Sequence, residues 1–296
     1  MTVSSGETDG EAERALLVAL DRRYVWHPYT SADDFEQREP LVISRAEGPY
    51  LYDPSGARYF DANASWWVAS LGHRHPRLVR ALVQQAESLA HVALGDATHE
   101  PAARLAHELV ELAQRALPQE DLSQERRLAR VFYADNGSTA VEVALQAAAQ
   151  YWSQNGRPKR TRFVTVSGAF HGETVGARSV GGVPAFRKGL EGLLFETLRV
   201  ELPAQESEPA GDHDREAWGR AFGELEALLA REGDTIAAVV LEPVLQGAAG
   251  MRVYDPAFVR AAREATLRAD TFLIADEVFT GLHRTGPSFA CALAGV

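Results

Sequence analysis

From Val131 onward the chain repeats one pattern: a short, almost uninterrupted apolar run, then a stretch with apolar residues at helical spacing. The runs are Val131-Phe-Tyr-Ala, Phe163-Val-Thr-Val, Thr197-Leu-Arg-Val, Ala237-Ala-Val-Val-Leu and Thr271-Phe-Leu-Ile-Ala; the helical stretches are Thr139 to Trp152, Ala217 to Arg231 and Pro256 to Arg268. A strand that is apolar at every position is covered on both faces, and parallel neighbours need a long crossover, usually a helix. The pattern therefore predicts an α/β domain with a mainly parallel sheet and flanking helices. In open sheets of this kind ligands collect at the carboxyl ends of the strands. Those ends carry Asp135-Asn-Gly-Ser-Thr, Ser167-Gly-Ala-Phe-His-Gly, Glu242-Pro-Val-Leu-Gln-Gly and Asp276-Glu-Val, and all four are expected to face one crevice.

The N-terminal part reads differently. Ala12 to Tyr24 has helical spacing, and Trp26-His-Pro-Tyr-Thr breaks it. Leu41-Val-Ile, Gly48 to Gly56 and Arg58-Tyr-Phe-Asp read as short strands joined by turns, a small antiparallel unit. Helices are expected near Arg77 to Ser88 and Pro101 to Ala116, each packing by one face, and Pro203 to Arg215 is expected to be a surface connection. The implied division is a small N-terminal α/β segment over residues 1–75 and the main domain over 76–296.

Composition narrows the partners. Thirty Lys+Arg against 41 Asp+Glu leave a net charge of -11, which disfavours nucleic acid and membrane surfaces and favours small-molecule substrates. Cys291 is the only cysteine and no His-Glu-x-x-His occurs, so neither a disulfide framework nor a metal site is expected. The N-terminus lacks the marks of a secretory signal, and no apolar stretch reaches the roughly 20 residues of a membrane span. A cytoplasmic location follows as an expectation.

Three features at the strand ends carry chemistry. Gly137-Ser138-Thr139 opens a helix, where backbone N–H groups and the helix dipole favour an anion such as a phosphate; an ordinary N-cap by Asn136 or Ser138 is the alternative. Asp276 follows an apolar run and needs a cationic partner, either a protonated heteroaromatic nitrogen or an arginine such as Arg284. Phe170-His171 offers a ring to stack on a flat ligand and an imidazole beside it, or else plain core packing. Trp66-Trp67, with Tyr29 in the earlier aromatic loop, forms an apolar wall for a substrate channel or an anchor for the small β unit. An anion cradle, an aromatic stacker and a buried carboxylate are together the parts that hold pyridoxal 5'-phosphate.

Their order and spacing resemble the class III aminotransferases, pyridoxal-phosphate enzymes of fold type I. The resemblance runs from about Trp26 to the C-terminus through Asn136-Gly-Ser-Thr-Ala-Val-Glu, Phe170-His-Gly-Glu-Thr, Leu241-Glu-Pro-Val-Leu-Gln-Gly, Ile274-Ala-Asp-Glu-Val-Phe-Thr-Gly and Arg284-Thr-Gly. It implies that Gly137 and Ser138 take the cofactor phosphate, that Asp276 partners the pyridine nitrogen, and that Phe170 and His171 flank the ring. Trp26-His-Pro-Tyr-Thr with Ala64-Ser-Trp-Trp is similar to the branch of the family that serves biotin biosynthesis, which implies substrate contacts at Tyr29, Trp66 and Trp67. Phe170 stands where several members of that branch have tyrosine, so one substrate hydrogen bond is missing. Ala248 stands where the ornithine- and γ-aminobutyrate-type relatives carry glutamate, which favours the biotin branch. The resemblance also implies a homodimer and a small-domain origin for residues 1–75.

One part of that chemistry is not found. The family's amine transfer needs a lysine that binds the cofactor covalently and shuttles a proton, and that lysine follows the Arg-Thr-Gly turn by a further segment. The only lysines here are Lys159 and Lys188, both upstream, and the sequence ends at Val296. The expectation is a C-terminally truncated chain without a catalytic lysine, not competent on its own.

Overall fold

The computed structural model describes residues 5–116, 128–203 and 212–296, with side chains over 10–116, 128–203 and 216–296. Two units emerge, Met1–Thr98 and His99–Val296.

The first unit holds α1 (Ser5–Tyr24), α2 (Ala32–Gln37), β1 (Arg45–Glu47), β2 (Tyr50–Tyr52), β3 (Arg58–Phe60), α3 (Ala64–Trp67) and α4 (Pro76–Ser88). The three strands form an antiparallel meander in chain order, with Ala46 opposite Leu51 and Leu51 opposite Tyr59. Leu41-Val-Ile, expected as the first strand, lies outside it: the ladder begins at Arg45 because β2 offers only three residues to pair with. Helix α4 departs from expectation too. Its sequence is strongly amphipathic, yet no residue is buried, and Leu78, Val79, Leu82 and Val83 are exposed.

The second unit holds α5 (Glu100–Ala116), α6 (Gly137–Gln154), β4 (Arg162–Val166), α7 (Val175–Val180), β5 (Leu198–Val200), α8 (Asp212–Glu232), β6 (Ile236–Leu241), β7 (Leu245–Gln246), β8 (Arg252–Val253), α9 (Pro256–Arg268), β9 (Phe272–Ala275) and α10 (Cys291–Ala294). Four strands pair in parallel in the order β5-β4-β6-β9. Both faces are covered, which is why β6 is buried at all six positions. Val164, Val166, Val239 and Leu241 meet Leu225, Leu229, Phe258 and Ala262 of α8 and α9 on one face, while Phe163, Ala238 and Val240 meet Val141, Leu145, Trp152 and Val180 of α6 and α7 on the other.

Val131-Phe-Tyr-Ala, expected as the first strand of this sheet, is not one. It runs beside α5, tied by Gln114 Nε2 to Leu128 C=O and by the Tyr133 hydroxyl to Ala102 C=O. No strand pairs with it among the described residues, and Phe132 is exposed. Helix α5 buries only Ala113, with Leu109 and Leu112 half-buried, so its expected packing face is partly covered. Residues 204–211 of the expected surface connection lie outside the described residues. Among the described residues no helix is long and apolar enough to cross a membrane.

Candidate functional site

The parallel sheet lines up its polar strand ends. Leu241 of β6 pairs with Ala275 of β9, so Glu242 and Asp276 leave adjacent strands at the same height, and the Asp276 N–H extends the ladder to Leu241 C=O at 2.8 Å. β4 ends at Val166, and the chain turns through Gly168 at φ 74° into Phe170 and His171.

Asp276 retains 5% of its side-chain exposure. One carboxylate oxygen lies 2.7 Å from His171 Nδ1, and the other accepts the Val278 N–H at 3.0 Å. A carboxylate only accepts, so Nδ1 is the donor between them, and two of the roughly four acceptor positions on Asp276 have no partner among the described residues. His171 thus gives Asp276 a hydrogen-bond donor, while Arg284 lies over the Phe279 ring, 6.0 Å from its centroid. His171 is fully buried, and its Nε2 has no hydrogen-bond partner among the described residues. A buried polar atom left over in this way marks a place for a group the protein does not itself provide.

At the N-terminus of α6 the capping alternative is realised, by Asn136 and not by Ser138. Asn136 is the N-cap: its side-chain oxygen accepts the Thr139 N–H at 3.0 Å, and the Thr139 hydroxyl oxygen accepts the Asn136 N–H at 3.3 Å. Ser138 is therefore not used in capping. Its hydroxyl oxygen accepts the Glu173 N–H at 3.1 Å, which leaves its proton to donate, and Gly137 and Ser138 stand where N–H groups have no intrahelical acceptor. The loop after β4 is pressed onto this helix end. At Gly172, with φ 119°, a Cβ would collide with Ser138 Oγ. A built Cβ on Gly137 would in turn lie 3.0 Å from Val278. Gly137, Ser138, Phe170, His171 and Asp276 are thus brought together by direct links within one unit.

Phe170 is half-buried and meets Phe186 edge to face, ring centroids 5.1 Å apart. Its N–H donates to Glu242 Oε2 at 2.9 Å, and the Gly247 N–H approaches Glu242 Oε1 at 3.3 Å. Gln246, fully buried, donates from Nε2 to Ser167 C=O at 2.8 Å. Burial pushes the Glu242 carboxyl up to about 7, against the neighbouring His171, which lowers it. Sequence reasoning gave Glu242 and Gln246 no site role. The available signal was a carboxylate placed directly after a run of six apolar residues.

In the first unit Tyr29 and Trp66 meet edge to face, centroids 5.3 Å apart at 68°, and Trp67 is half-buried. Their backbone is strained: Ala64, Ser65, Trp66 and Trp67 all have positive φ, between 48° and 71°, a left-handed turn of four non-glycine residues. Such residues cost about 1–2 kcal/mol each, and side-chain bonds hold them. Asp61 accepts the Ser65 N–H at 3.0 Å, the Ser65 hydroxyl at 2.7 Å and His73 Nε2 at 2.8 Å, and Asn63 Oδ1 accepts the Trp66 N–H at 3.3 Å. These donors hold the Asp61 carboxyl below the usual carboxylate range.

Among the described residues no group of three or more His, Cys, Asp or Glu is arranged to hold a metal ion. Lys159 and Lys188 are both exposed, in a turn before β4 and in a loop after α7.

The family profile described as aminotransferase class-III matches residues 32–296. The adenosylmethionine-8-amino-7-oxononanoate aminotransferase of Geobacter sulfurreducens is 39% identical over 277 residues, 93% of this chain and 59% of that protein. The crystal structure of the enzyme of that name from Methanocaldococcus jannaschii superposes with TM-score 0.82 at 32% identity, covering 95% of this chain and 59% of that one. An omega transaminase from Pseudomonas jessenii, solved in complex with PMP, superposes with TM-score 0.83 at 32% identity, covering 94% and 60%. The chain spans about three-fifths of the length of these relatives.

Proposed function

Because this chain belongs to the class III aminotransferases, we propose that it binds pyridoxal 5'-phosphate and serves the amine transfer from S-adenosylmethionine to 8-amino-7-oxononanoate that yields 7,8-diaminononanoate in biotin biosynthesis. The observation that carries the cofactor part is Asp276: a buried carboxylate, braced by His171, with acceptor positions unused and a helix N-terminus in the same cluster. Bound pyridoxal phosphate supplies an electron-poor ring that takes up the electron pair released at the substrate carbon. The chain's own residues prepare that chemistry. Asp276 holds the proton on the ring nitrogen, and His171 fixes the carboxylate from behind as a positioning residue. Gly137 N–H, Ser138 N–H and the Ser138 hydroxyl receive the phosphate, and Phe170 covers one face of the ring and excludes water from it.

For the acceptor we assign Tyr29, Trp66 and Trp67, whose aromatic faces suit the long aliphatic chain of an oxononanoate. Residues 1–75 are assigned to the small domain and 76–296 to the large domain of a cytoplasmic enzyme that works as a homodimer. One observation favours a second reading, another class III omega transaminase with a different keto acceptor: the Pseudomonas jessenii enzyme is as similar in structure as the adenosylmethionine-dependent one. Titration of the chain loaded with pyridoxamine phosphate separates the two. Saturable quenching of tryptophan fluorescence by 8-amino-7-oxononanoate, lost in Trp66→Ala, is expected. Quenching by pyruvate with none by 8-amino-7-oxononanoate would favour the second reading instead.

A further inference from the structure

Glu242 is a buried carboxylate, 4% exposed, with no arginine or lysine paired to it among the described residues. Burying a charge without a countercharge is costly, and an apolar residue at this strand end would pack at less expense. What the carboxylate gains is two backbone donors from different segments, the Phe170 N–H at 2.9 Å and the Gly247 N–H at 3.3 Å. Without it both N–H groups would lose their acceptor.

Its neighbour Gln246 completes the arrangement. The Gln246 amide donates to Ser167 C=O at 2.8 Å and is itself steadied by Arg252 at 3.3 Å. Gly168 lies so close that a Cβ there would stand 2.9 Å from Gln246 Oε1. The segment 242–247 therefore grips the loop 167–170 at both ends, one side chain on Ser167 and one on Phe170. The ring of Phe170 meets that of Phe186, a contact that fixes tilt less strictly than a directed hydrogen bond.

We infer that Glu242 is a positioning residue for cofactor stacking: through its two backbone bonds it sets the height and tilt of Phe170 over the ring held by Asp276. The inference rests on the cofactor assignment made above for Phe170 and Asp276. Because only the ionised carboxylate accepts fully from both donors, the grip tightens as Glu242 loses its proton. The titratable groups facing Glu242 are His171 from the loop after β4 and Asp276 from the end of β9, together with Tyr254, whose hydroxyl donates to the Glu242 C=O.

Three proteins suffice for the test: the native chain, Glu242→Gln, which keeps shape but loses the charge, and Glu242→Asp, which keeps the charge but shortens the reach. Amide hydrogen exchange is followed in the segments carrying Phe170 and Gly247, and pyridoxamine phosphate affinity is measured from pH 6 to 8. Faster exchange confined to those two segments is expected in both variants. For Glu242→Gln the affinity should fall about tenfold at pH 8 and approach the native value at pH 6, as expected for a lost charged hydrogen bond. Unchanged exchange at the Phe170 and Gly247 amides overturns the positioning role whatever the affinities do. If exchange changes but the native chain binds no pyridoxamine phosphate, the grip is real and the cofactor assignment, and with it the stacking role, is overturned.

Discussion

Among the described residues Asp276 accepts two hydrogen bonds, and a carboxylate has room for two more. Asp276→Asn preserves its shape, replaces one acceptor oxygen by a donor and removes the charge that a protonated ring nitrogen requires. A charged hydrogen bond is worth about 1.5–3 kcal/mol, so pyridoxamine phosphate affinity should drop by about ten- to a hundredfold in calorimetric titration. Gly172 offers a steric counterpart. Gly172→Ala would force a Cβ into Ser138 Oγ at φ 119°, a strain of about 1–3 kcal/mol, and should weaken binding of inorganic phosphate and pyridoxamine phosphate alike. Glu242 leaves its mark on stability. Burial pushes its carboxyl up to about 7 from an ordinary 4.5, so between these pH values the native state holds a proton that the unfolded chain has released. Stability is therefore greatest below pH 4.5 for this group and falls as pH rises to 7, by on the order of 2–3 kcal/mol. Urea unfolding midpoints of the native chain and Glu242→Gln, compared across that window, should differ in slope.

At the scale of elements, the aromatic turn Ala64–Trp67 is set by the residues around it. Ala64→Gly removes a left-handed alanine at φ 50° and should stabilise the turn by up to about 1 kcal/mol. Asp61→Asn should disorder it, visible as loss of the Tyr29–Trp66 signal in near-ultraviolet circular dichroism. Because the folded Asp61 value lies below its ordinary one, its contribution is present above the unfolded value and is lost as pH falls through the folded one. None of this turn was legible in the sequence. The paired tryptophans stood out, but four consecutive left-handed residues follow from Asp61 bonding Ser65 and His73 and from Asn63 accepting the Trp66 N–H, contacts that no local propensity encodes. By contrast β6, α9 and the other strands of the parallel sheet were legible, because a fully covered strand must be apolar throughout and Pro256 at the first turn of α9 marks its start. Val131-Phe-Tyr-Ala is as apolar yet forms no ladder among the described residues, since apolarity shows that a segment can be a strand and not which neighbour pairs with it. In the site, strand-end polarity located Asp276, while the His171–Asp276 contact spans 105 residues and emerges only once β4, β6 and β9 lie side by side.

At the scale of the whole molecule, the sheet gathers Gly137, Ser138, Phe170, His171 and Asp276, the proposed cofactor site, into one unit, and the aromatic turn stands in the other. Neither Lys159 nor Lys188 belongs to the strand-end cluster, so borohydride reduction of the chain with pyridoxal phosphate should give no stoichiometric pyridoxyl group on either lysine by peptide mass mapping. The cluster should still bind a cofactor form that needs no covalent anchor. The most direct measurement is calorimetric titration of the native chain and of Asp276→Asn with pyridoxamine phosphate at pH 8. One equivalent bound by the native chain, with affinity at least tenfold weaker in the variant, is predicted. No binding by the native chain, or equal binding by both proteins, would contradict the assignment of Asp276 and its neighbours as the cofactor site.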